Sequence, residues 1–112
     1  MEGYIDEYRH PKVVVMVNGV AIDAVVDTGF DGDLCLPIGV AIQLGLNLCD
    51  TIWVELADGT RKRELVFTGE VKLGDKTKKV GMMLTESEEG LLGTQLFSRL
   101  GINFDEGAVE LE

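Results

Sequence analysis

The feature that most constrains the fold is a pair of apolar runs separated by an Asn-Gly dipeptide. Val13–Val17 is almost entirely β-branched, which is typical of a buried strand, and Val20–Val26 is a second apolar run. Between them, Asn18-Gly19 readily adopts positive φ at both central positions of a tight turn. The sequence therefore predicts a β-hairpin whose second strand ends at Val26.

Downstream, β-branched and alternating segments are separated by turns that contain Gly and Asp, which predicts a chain built mostly of strands. Pro37 can open a helix because its missing N–H is not needed in the first turn, so a helix is expected over Pro37–Leu46. A second short helix is expected around Leu96 and Leu100, with Gly101 as its stop. Further strands are expected at Leu34–Leu36, Thr51–Leu56, Leu65–Leu73, Val80–Leu84, Ile102–Asp105 and Ala108–Leu111.

Length and charge exclude several classes of function. A chain of 112 residues that is 46% hydrophobic has material for one core, so a single domain over 1–112 is expected, with 1–11 as a polar arm. The formal net charge of -10 argues against a nucleic-acid partner, because binding phosphates needs a dense patch of Lys and Arg. No apolar run is long enough to span a bilayer and no signal-peptide pattern is present. The expected location is the cytoplasm, with no membrane partner.

The cysteines and the histidine do not indicate a metal or redox site. Cys35 and Cys49 lack C-x-x-C spacing and a companion His cluster, so both are expected to be buried free thiols. His10 stands alone in the polar N-terminal segment, where it is expected to lie on the surface. No metal ion and no cofactor are predicted.

The only basic cluster in the sequence is Arg61–Arg63. We expect it to be a solvated part of a hairpin, because Asp58 and Glu64 flank it. A binding site for an anionic ligand at this cluster is the less favoured alternative, given the acidity of the chain. Trp53, on the preceding strand, is expected in the core rather than in a pocket near the base of the hairpin, since a lone strand aromatic is more often a core residue.

A candidate catalytic group follows the second strand of the first hairpin. Asp27-Thr28-Gly29 by itself would most often be an ordinary turn. Here it comes directly after an apolar strand that ends at Val26, so the carboxylate is expected at the edge of the hydrophobic core. Functional acids are positioned in this way, on rigid elements, and Asp27 is the candidate.

The order of these elements resembles the retroviral-type (retropepsin-like) aspartic peptidases, including their non-viral members. The resemblance covers nearly the whole chain. It depends on the first hairpin, on Asp27-Thr28-Gly29, on a flap-like hairpin that turns at Ala57–Thr60, and on Leu91-Leu92-Gly93 followed by a short helix. It implies a mostly β fold, namely a small closed antiparallel β-barrel with one or two short helices, which is active as a homodimer.

The resemblance also implies a mechanism and roles for individual residues. Each subunit of a two-fold dimer would supply one Asp27, and a water held between the two carboxylates would attack a peptide bond of an extended polypeptide. Thr28 and Gly29 would position the active-site loop. Substrate binding would fall to Phe30, Asp31, Ala57, Asp58 and Gly59, and support of the loop to Leu91, Leu92 and Gly93.

Two positions depart from the family pattern. Phe30 stands where the family usually has Ala or Ser, and its ring would crowd the substrate channel. Thr94 stands where retroviral members have an Arg that braces the position of Asp31. An alternative function therefore stays open, in which the chain is a non-catalytic dimeric β module that binds an extended peptide or mediates dimerisation.

Overall fold

The computed structural model describes the backbone of residues 1–112 and every side chain except those at positions 47, 49 and 50. It contains ten strands, one α-helix and a single 3-10 turn at Thr94–Leu96. In chain order the elements are β1 (Glu2–Ile5), β2 (Pro11–Val17), β3 (Val20–Val26), β4 (Leu34–Pro37), α1 (Ile38–Leu44), β5 (Asn47–Glu55), β6 (Arg61–Leu73), β7 (Lys76–Thr85), β8 (Gly90–Leu92), β9 (Leu100–Asn103) and β10 (Ala108–Leu111).

The first hairpin forms as predicted. Val17 pairs with Val20, and the turn residues Asn18 and Gly19 have φ values of 48° and 82°. The Asn18 side chain also contacts β6, because its Oδ1 accepts a hydrogen bond of 2.9 Å from the Glu70 N–H. The turn is thus fixed by its own backbone preference and by a neighbouring strand.

The strands form one sheet in the order β5-β6-β7-β4-β8-β3-β2-β1-β10-β9, and an additional pairing joins β6 to β2. Six strands, from β6 through β7, β4, β8 and β3 to β2, therefore make a continuous ring of pairings. The arrangement is mostly antiparallel, as expected, and two pairings are exceptions: β3 pairs with β8 and β4 pairs with β7 in parallel. Both exceptions involve strands that return to the sheet after a long connection, as parallel pairing requires.

The core lies inside this ring. Alternate residues of β2 point inward, so Val13, Val15 and Val17 are fully buried. They meet side chains from β4, β7 and β8. The largest of these are Leu34, Leu36, Met82 and Leu92, each with no exposed surface. Each such side chain contributes about 1.5–3 kcal/mol through burial, and this concentrates stability around β2, β4, β7 and β8.

The predicted polar arm over residues 1–11 is wrong, because residues 2–5 form β1. This strand pairs with β10 through Gly3 and Val109, and with β2 through Tyr4 and Lys12. Gly3 is required for the close approach, since a Cβ there would collide with the carbonyl of Lys12. One of these partners lies about a hundred residues away, so no local pattern could indicate the pairing.

The first predicted helix is confirmed with shorter bounds, and the second is wrong. α1 ends at Leu44, and the next residue, Gly45, adopts a left-handed conformation with φ 61°. After the 3-10 turn, Phe97 is already extended, and Gly101 pairs with Glu110 instead of ending a helix. The N–H groups of Ser98 and Arg99 donate to the carbonyl of Glu112. Pairing with the C-terminal strand thus overrides the helical pattern.

The other predicted strands are confirmed, although β5, β6 and β7 are longer than expected and β9 lies two residues earlier than the predicted Ile102–Asp105. Cys35 is a buried free thiol, as predicted, whereas the Cys49 side chain lies outside the described residues. Burial, and secondly the carboxylate of Glu64, raise the pKa of the Cys35 thiol. Among the described residues, no helix has the length and apolar character needed to cross a membrane.

Candidate active site

Asp27 directly follows β3, which pairs with β2 on one side and with β8 on the other. β8 lies between β3 and β4, with Leu92 opposite Val26 on one side and opposite Leu34 on the other. All three side chains are buried, and the Asp27 N–H donates to the Leu92 carbonyl at 3.0 Å. Asp27 therefore begins the loop at the point where the packed core ends, and it is half-buried.

The loop that follows orients the Asp27 carboxylate. The Gly29 N–H donates to Asp27 Oδ1 at 2.9 Å, and the Phe30 N–H donates to the Asp27 carbonyl at 3.2 Å. The second carboxylate oxygen has no hydrogen-bond partner among the described residues. Thr28 and Gly29 are exposed. Oδ1 of Asp27 is thus held in place, and the outer surface of the loop is accessible at Thr28 and Gly29.

The segment after β8 fixes the base of the loop through three backbone hydrogen bonds. Gly93 donates to the carbonyl of Asp33 at 2.8 Å, Thr94 to that of Phe30 at 2.9 Å, and Gln95 to that of Gly32 at 3.2 Å. A Cβ on Gly93 would collide with the Gly32 carbonyl, so only glycine fits at this approach. Leu91 lies one residue before Leu92 on the same strand, opposite Val25 and Cys35. The predicted supporting motif, Leu91, Leu92 and Gly93, thus lies directly against the loop.

The ring of Phe30 packs on its own loop. A Cβ on Gly32 would meet Phe30 ring carbons at 2.7 Å, and one on Gly93 would meet Phe30 Cδ2 at 2.8 Å. The ring therefore occupies the space above both glycines and is half-buried there. Its contact with a substrate stays a prediction.

Asp31 is exposed and has no ion pair among the described residues. Thr94, which stands where an Arg was expected to brace it, contacts the loop through its backbone N–H alone among the described hydrogen bonds. A role for Asp31 in binding substrate also stays a prediction.

The predicted flap residues form the tip of the β5–β6 hairpin. The Leu56 N–H donates to the Thr60 carbonyl at 2.7 Å, and Gly59 between them has φ 84°. Thr60 donates to Asp58 Oδ1 through its hydroxyl at 2.6 Å and its N–H at 2.9 Å, and these bonds lower the pKa of Asp58. Ala57, Asp58 and Gly59 are exposed. No described hydrogen bond or ion pair joins this tip to the Asp27 loop.

The prediction that Trp53 lies in the core is wrong. Its side chain is 60% exposed on β5, and the Arg63 guanidinium lies 5.5 Å from the centre of its ring. Arg61–Arg63 is exposed on β6, as predicted. An alternating strand has two faces, and only the tertiary structure decides which face is covered. Strand alternation in the sequence therefore did not indicate that Trp53 would be exposed.

A second group that sequence analysis missed is an ion-pair network at the start of β8. Lys12 Nζ contacts the carboxylates of both Asp6 and Glu89, and His10 Nδ1 lies 3.7 Å and 3.6 Å from them. Glu89 chiefly raises the pKa of Lys12, and a backbone hydrogen bond from His10 chiefly lowers that of Asp6. The ligand atoms of Asp6, His10 and Glu89 lie within 4.8 Å of one another, but the ammonium group of Lys12 already contacts both carboxylates. His10 is a surface residue as predicted, with its side chain 49% exposed.

Sequence and structure comparisons bear on this geometry. A family model described as aspartyl protease matches residues 13–104, which include the Asp27 loop, the β5–β6 hairpin and β8. A search of curated proteins found no significant match.

The arrangement of the strands is similar to that in several solved structures. A retropepsin-like aspartic protease from Rickettsia conorii matches with a TM-score of 0.74 and 22% identity, over 99% of this chain and 88% of that one. The EIAV protease complexed with an inhibitor matches with a TM-score of 0.60 and 17% identity, over 80% and 86% of the two chains. The protease of simian foamy virus (mac) matches with a TM-score of 0.59 and 15% identity, over 75% and 88%. The predicted retropepsin-like, mostly β fold is confirmed.

Proposed function

The chain belongs to the aspartyl protease family, and we propose that it is an aspartic endopeptidase that acts as a homodimer. The observation that carries the proposal is the position of Asp27. Its half-buried carboxylate stands at the end of a packed strand and is oriented by the Gly29 N–H at 2.9 Å. Preorganisation of this kind is what acid–base catalysis requires, because a misplaced carboxylate loses most of its catalytic effect.

In the proposed mechanism the two Asp27 carboxylates of a dimer hold a water between them. Two like charges in contact cannot both ionise cheaply, so the pair shares one proton. The ionised carboxylate takes a proton from the water as it attacks the scissile carbonyl carbon. The protonated carboxyl donates a hydrogen bond to the carbonyl oxygen, on which negative charge develops. Neither a metal ion nor an organic cofactor takes part in this scheme.

The need for a dimer follows from chemistry and from exposure. One chain supplies one Asp27, whereas the mechanism needs two carboxylates in one site, which a two-fold axis provides. The loop that would lie on this axis is open, since Thr28 and Gly29 are exposed. In the proposed dimer Thr28 hydrogen-bonds across the axis. The ring of six paired strands would be the small closed barrel that carries each loop.

The proposed substrate is an extended polypeptide. The β5–β6 hairpin would close over it and offer backbone hydrogen bonds near Ala57–Gly59, as in the addition of a strand to a sheet. Phe30 and Asp31 would contact side chains close to the scissile bond. The proposal treats 1–112 as one domain that acts in the cytoplasm, without nucleic-acid or membrane partners.

A second candidate function rests on the Phe30 ring, which covers Gly32 and Gly93 beside the catalytic loop. If the ring narrows the cleft enough to keep a peptide bond from the carboxylates, the dimer binds extended peptides without cleaving them. Replacement of Phe30 by Ala would then create cleavage that the natural chain lacks.

The test is cleavage of a mixed peptide library over a range of about pH 3 to 8, which brackets carboxylate titration. We expect cleavage by the natural chain and a loss of about a thousandfold in Asp27→Asn, in line with the effect of removing an acid–base group. Asp75→Asn, at the exposed β6–β7 turn, is the matched control and should cleave normally. A dimer that is folded and inert in all three forms would contradict the peptidase proposal and favour the binding module.

A further inference from the structure

One side of the β5–β6 hairpin combines exposed apolar and cationic groups. Residues directly opposite each other in an antiparallel pair lie on the same side of the sheet, and such pairs recur at every second residue. The register pairs Trp53 with Arg63 at the centre of this side. We call this surface the Trp–Arg face. It comprises Thr51, Trp53 and Glu55 of β5 with Arg61, Arg63 and Leu65 of β6.

The cations of the Trp–Arg face are held in place by the indole. The guanidinium carbons of Arg61 and Arg63 lie 6.0 Å and 5.5 Å from the centre of the Trp53 ring, within the range of cation–π attraction. Arg63 Nη2 also donates to Thr51 Oγ1 at 3.2 Å. Trp53 is nevertheless 60% exposed and Leu65 44% exposed. The face thus offers preorganised guanidinium groups beside open apolar surface.

No carboxylate that the structure describes forms an ion pair with these cations, Arg61 and Arg63, although Glu55 lies opposite Arg61 in the register. By contrast, Lys62 on the other side of the hairpin is 3.4 Å from Glu64. The chain has only ten Lys and Arg against twenty Asp and Glu, and two of the ten, Arg61 and Arg63, share the Trp–Arg face.

The neighbouring backbone is open to an extended ligand. β5 is the first strand in the order of the sheet, so one of its edges has no strand beside it. An extended segment can pair with such an edge and place alternate side chains over the face. Guanidinium groups bind carboxylates through paired, charge-assisted hydrogen bonds, and the indole would pack against an apolar side chain.

We propose that the Trp–Arg face binds an extended acidic segment of a partner polypeptide, in which Asp or Glu alternates with apolar residues. The carboxylates contact Arg61 and Arg63, and the apolar side chains cover Trp53 and Leu65. This binding does not depend on hydrolysis at Asp27. A single-stranded nucleic acid would also offer anions and stacking surfaces, but it lacks the peptide backbone that can pair with the open edge of β5.

The test uses the only tryptophan of the chain as the probe, because Trp53 itself lies in the face. A short peptide of alternating Glu and Leu is titrated into the full chain and into Asp27→Asn, and the tryptophan emission is followed. We expect saturable binding with equal affinity in both proteins, and an affinity about tenfold lower for the same peptide with Gln in place of Glu.

Matched variants identify the surface, with binding followed by polarisation of a labelled peptide and folding checked by circular dichroism. Arg61→Gln combined with Arg63→Gln should weaken binding about tenfold or more, whereas Lys62→Gln, on the other side of the hairpin, should change it less than about twofold. Glu55→Gln should tighten binding by removing a competing carboxylate. Equal weakening by Lys62→Gln, no preference for Glu over Gln, or tighter binding of a single-stranded oligonucleotide would each overturn the proposal.

Discussion

The base of the Asp27 loop and the β5–β6 hairpin are built in opposite ways. At the base, Val26, Leu34 and Leu92 come from three different strands and are at most 5% exposed. In the hairpin, no residue from 51 to 65 is buried, and Trp53 and Leu65 are 60% and 44% exposed. The base is fixed by packing from several directions, whereas the hairpin is held mainly by its own backbone ladder.

This difference agrees with the roles proposed for the two regions. A catalytic carboxylate must be held to within a fraction of an ångström, and interior packing against several strands provides this constraint. An element that closes over varied polypeptides must move, so it belongs among the parts of a protein with low local stability. Removing a side chain should therefore lower the free energy of unfolding strongly at the base of the loop and only slightly in the hairpin.

The largest expected effect on stability comes from removing a leucine from the base. Leu92→Ala leaves a cavity between β3 and β4 and should lower the free energy of unfolding by about 3 kcal/mol. Leu65→Ala, on the exposed hairpin, is the matched variant and should change it by about 0.5 kcal/mol or less. Denaturant titration of both variants measures the difference. Equal losses of unfolding free energy in the two variants would contradict the proposed difference in packing between the two regions.

A glycine in each region gives the next comparison. A Cβ at position 93 collides with the backbone of Gly32, so Gly93→Ala should lower the free energy of unfolding by about 2 kcal/mol and displace the Asp27 loop. Gly59→Ala meets no atom within 4 Å and costs only the strain of its φ of 84°, about 1 kcal/mol. Thermal unfolding measures both losses of stability, and the loss should be the larger one in the first variant. A Gly93→Ala protein with normal stability would show that the approach to Gly32 is not tight.

The smallest effect concerns the charge at the hairpin tip. The hydroxyl and N–H of Thr60 lower the pKa of Asp58, so the ionised form stabilises the folded state above the ordinary pKa of Asp. This contribution is lost as the pH falls through the lowered, folded-state pKa. Thr60→Val removes the hydroxyl donor and should raise the pKa of Asp58 part of the way to its ordinary value, as NMR titration would show. An unchanged pKa would mean that the N–H alone is sufficient.

Local features of the sequence predicted most of the structure at the base of the Asp27 loop. Asn18-Gly19 fixes a hairpin within fourteen residues of the chain, and Asp27 follows its second strand in sequence as well as in space. The motif at Leu91–Gly93 was predicted through its resemblance to a family, and the structure brings it against the loop. Such features are predictable because the local conformational preference agrees with the final packing.

Features that depend on distant partners could not be predicted in this way. β1 forms only because β10 and β2 lie beside it, and Phe97 extends because the C-terminal strand accepts its neighbours' hydrogen bonds. Lys12 meets Glu89 across most of the chain. The exposure of Trp53 depends on which side of the β5–β6 hairpin packs against the rest of the protein. Strand alternation alone does not reveal which side that is.

The central claim is that catalysis needs two Asp27 carboxylates from two chains, and subunit mixing tests it most directly. A fixed amount of natural chain is equilibrated with a tenfold excess of Asp27→Asn chain, and peptide cleavage is measured. Random pairing leaves about a tenth of the natural subunits with a natural partner, so activity should fall to about a tenth. The same excess of Asp75→Asn, which keeps Asp27, should raise activity instead. Cleavage that stays constant in the presence of excess Asp27→Asn would show that one chain acts alone and would contradict the account.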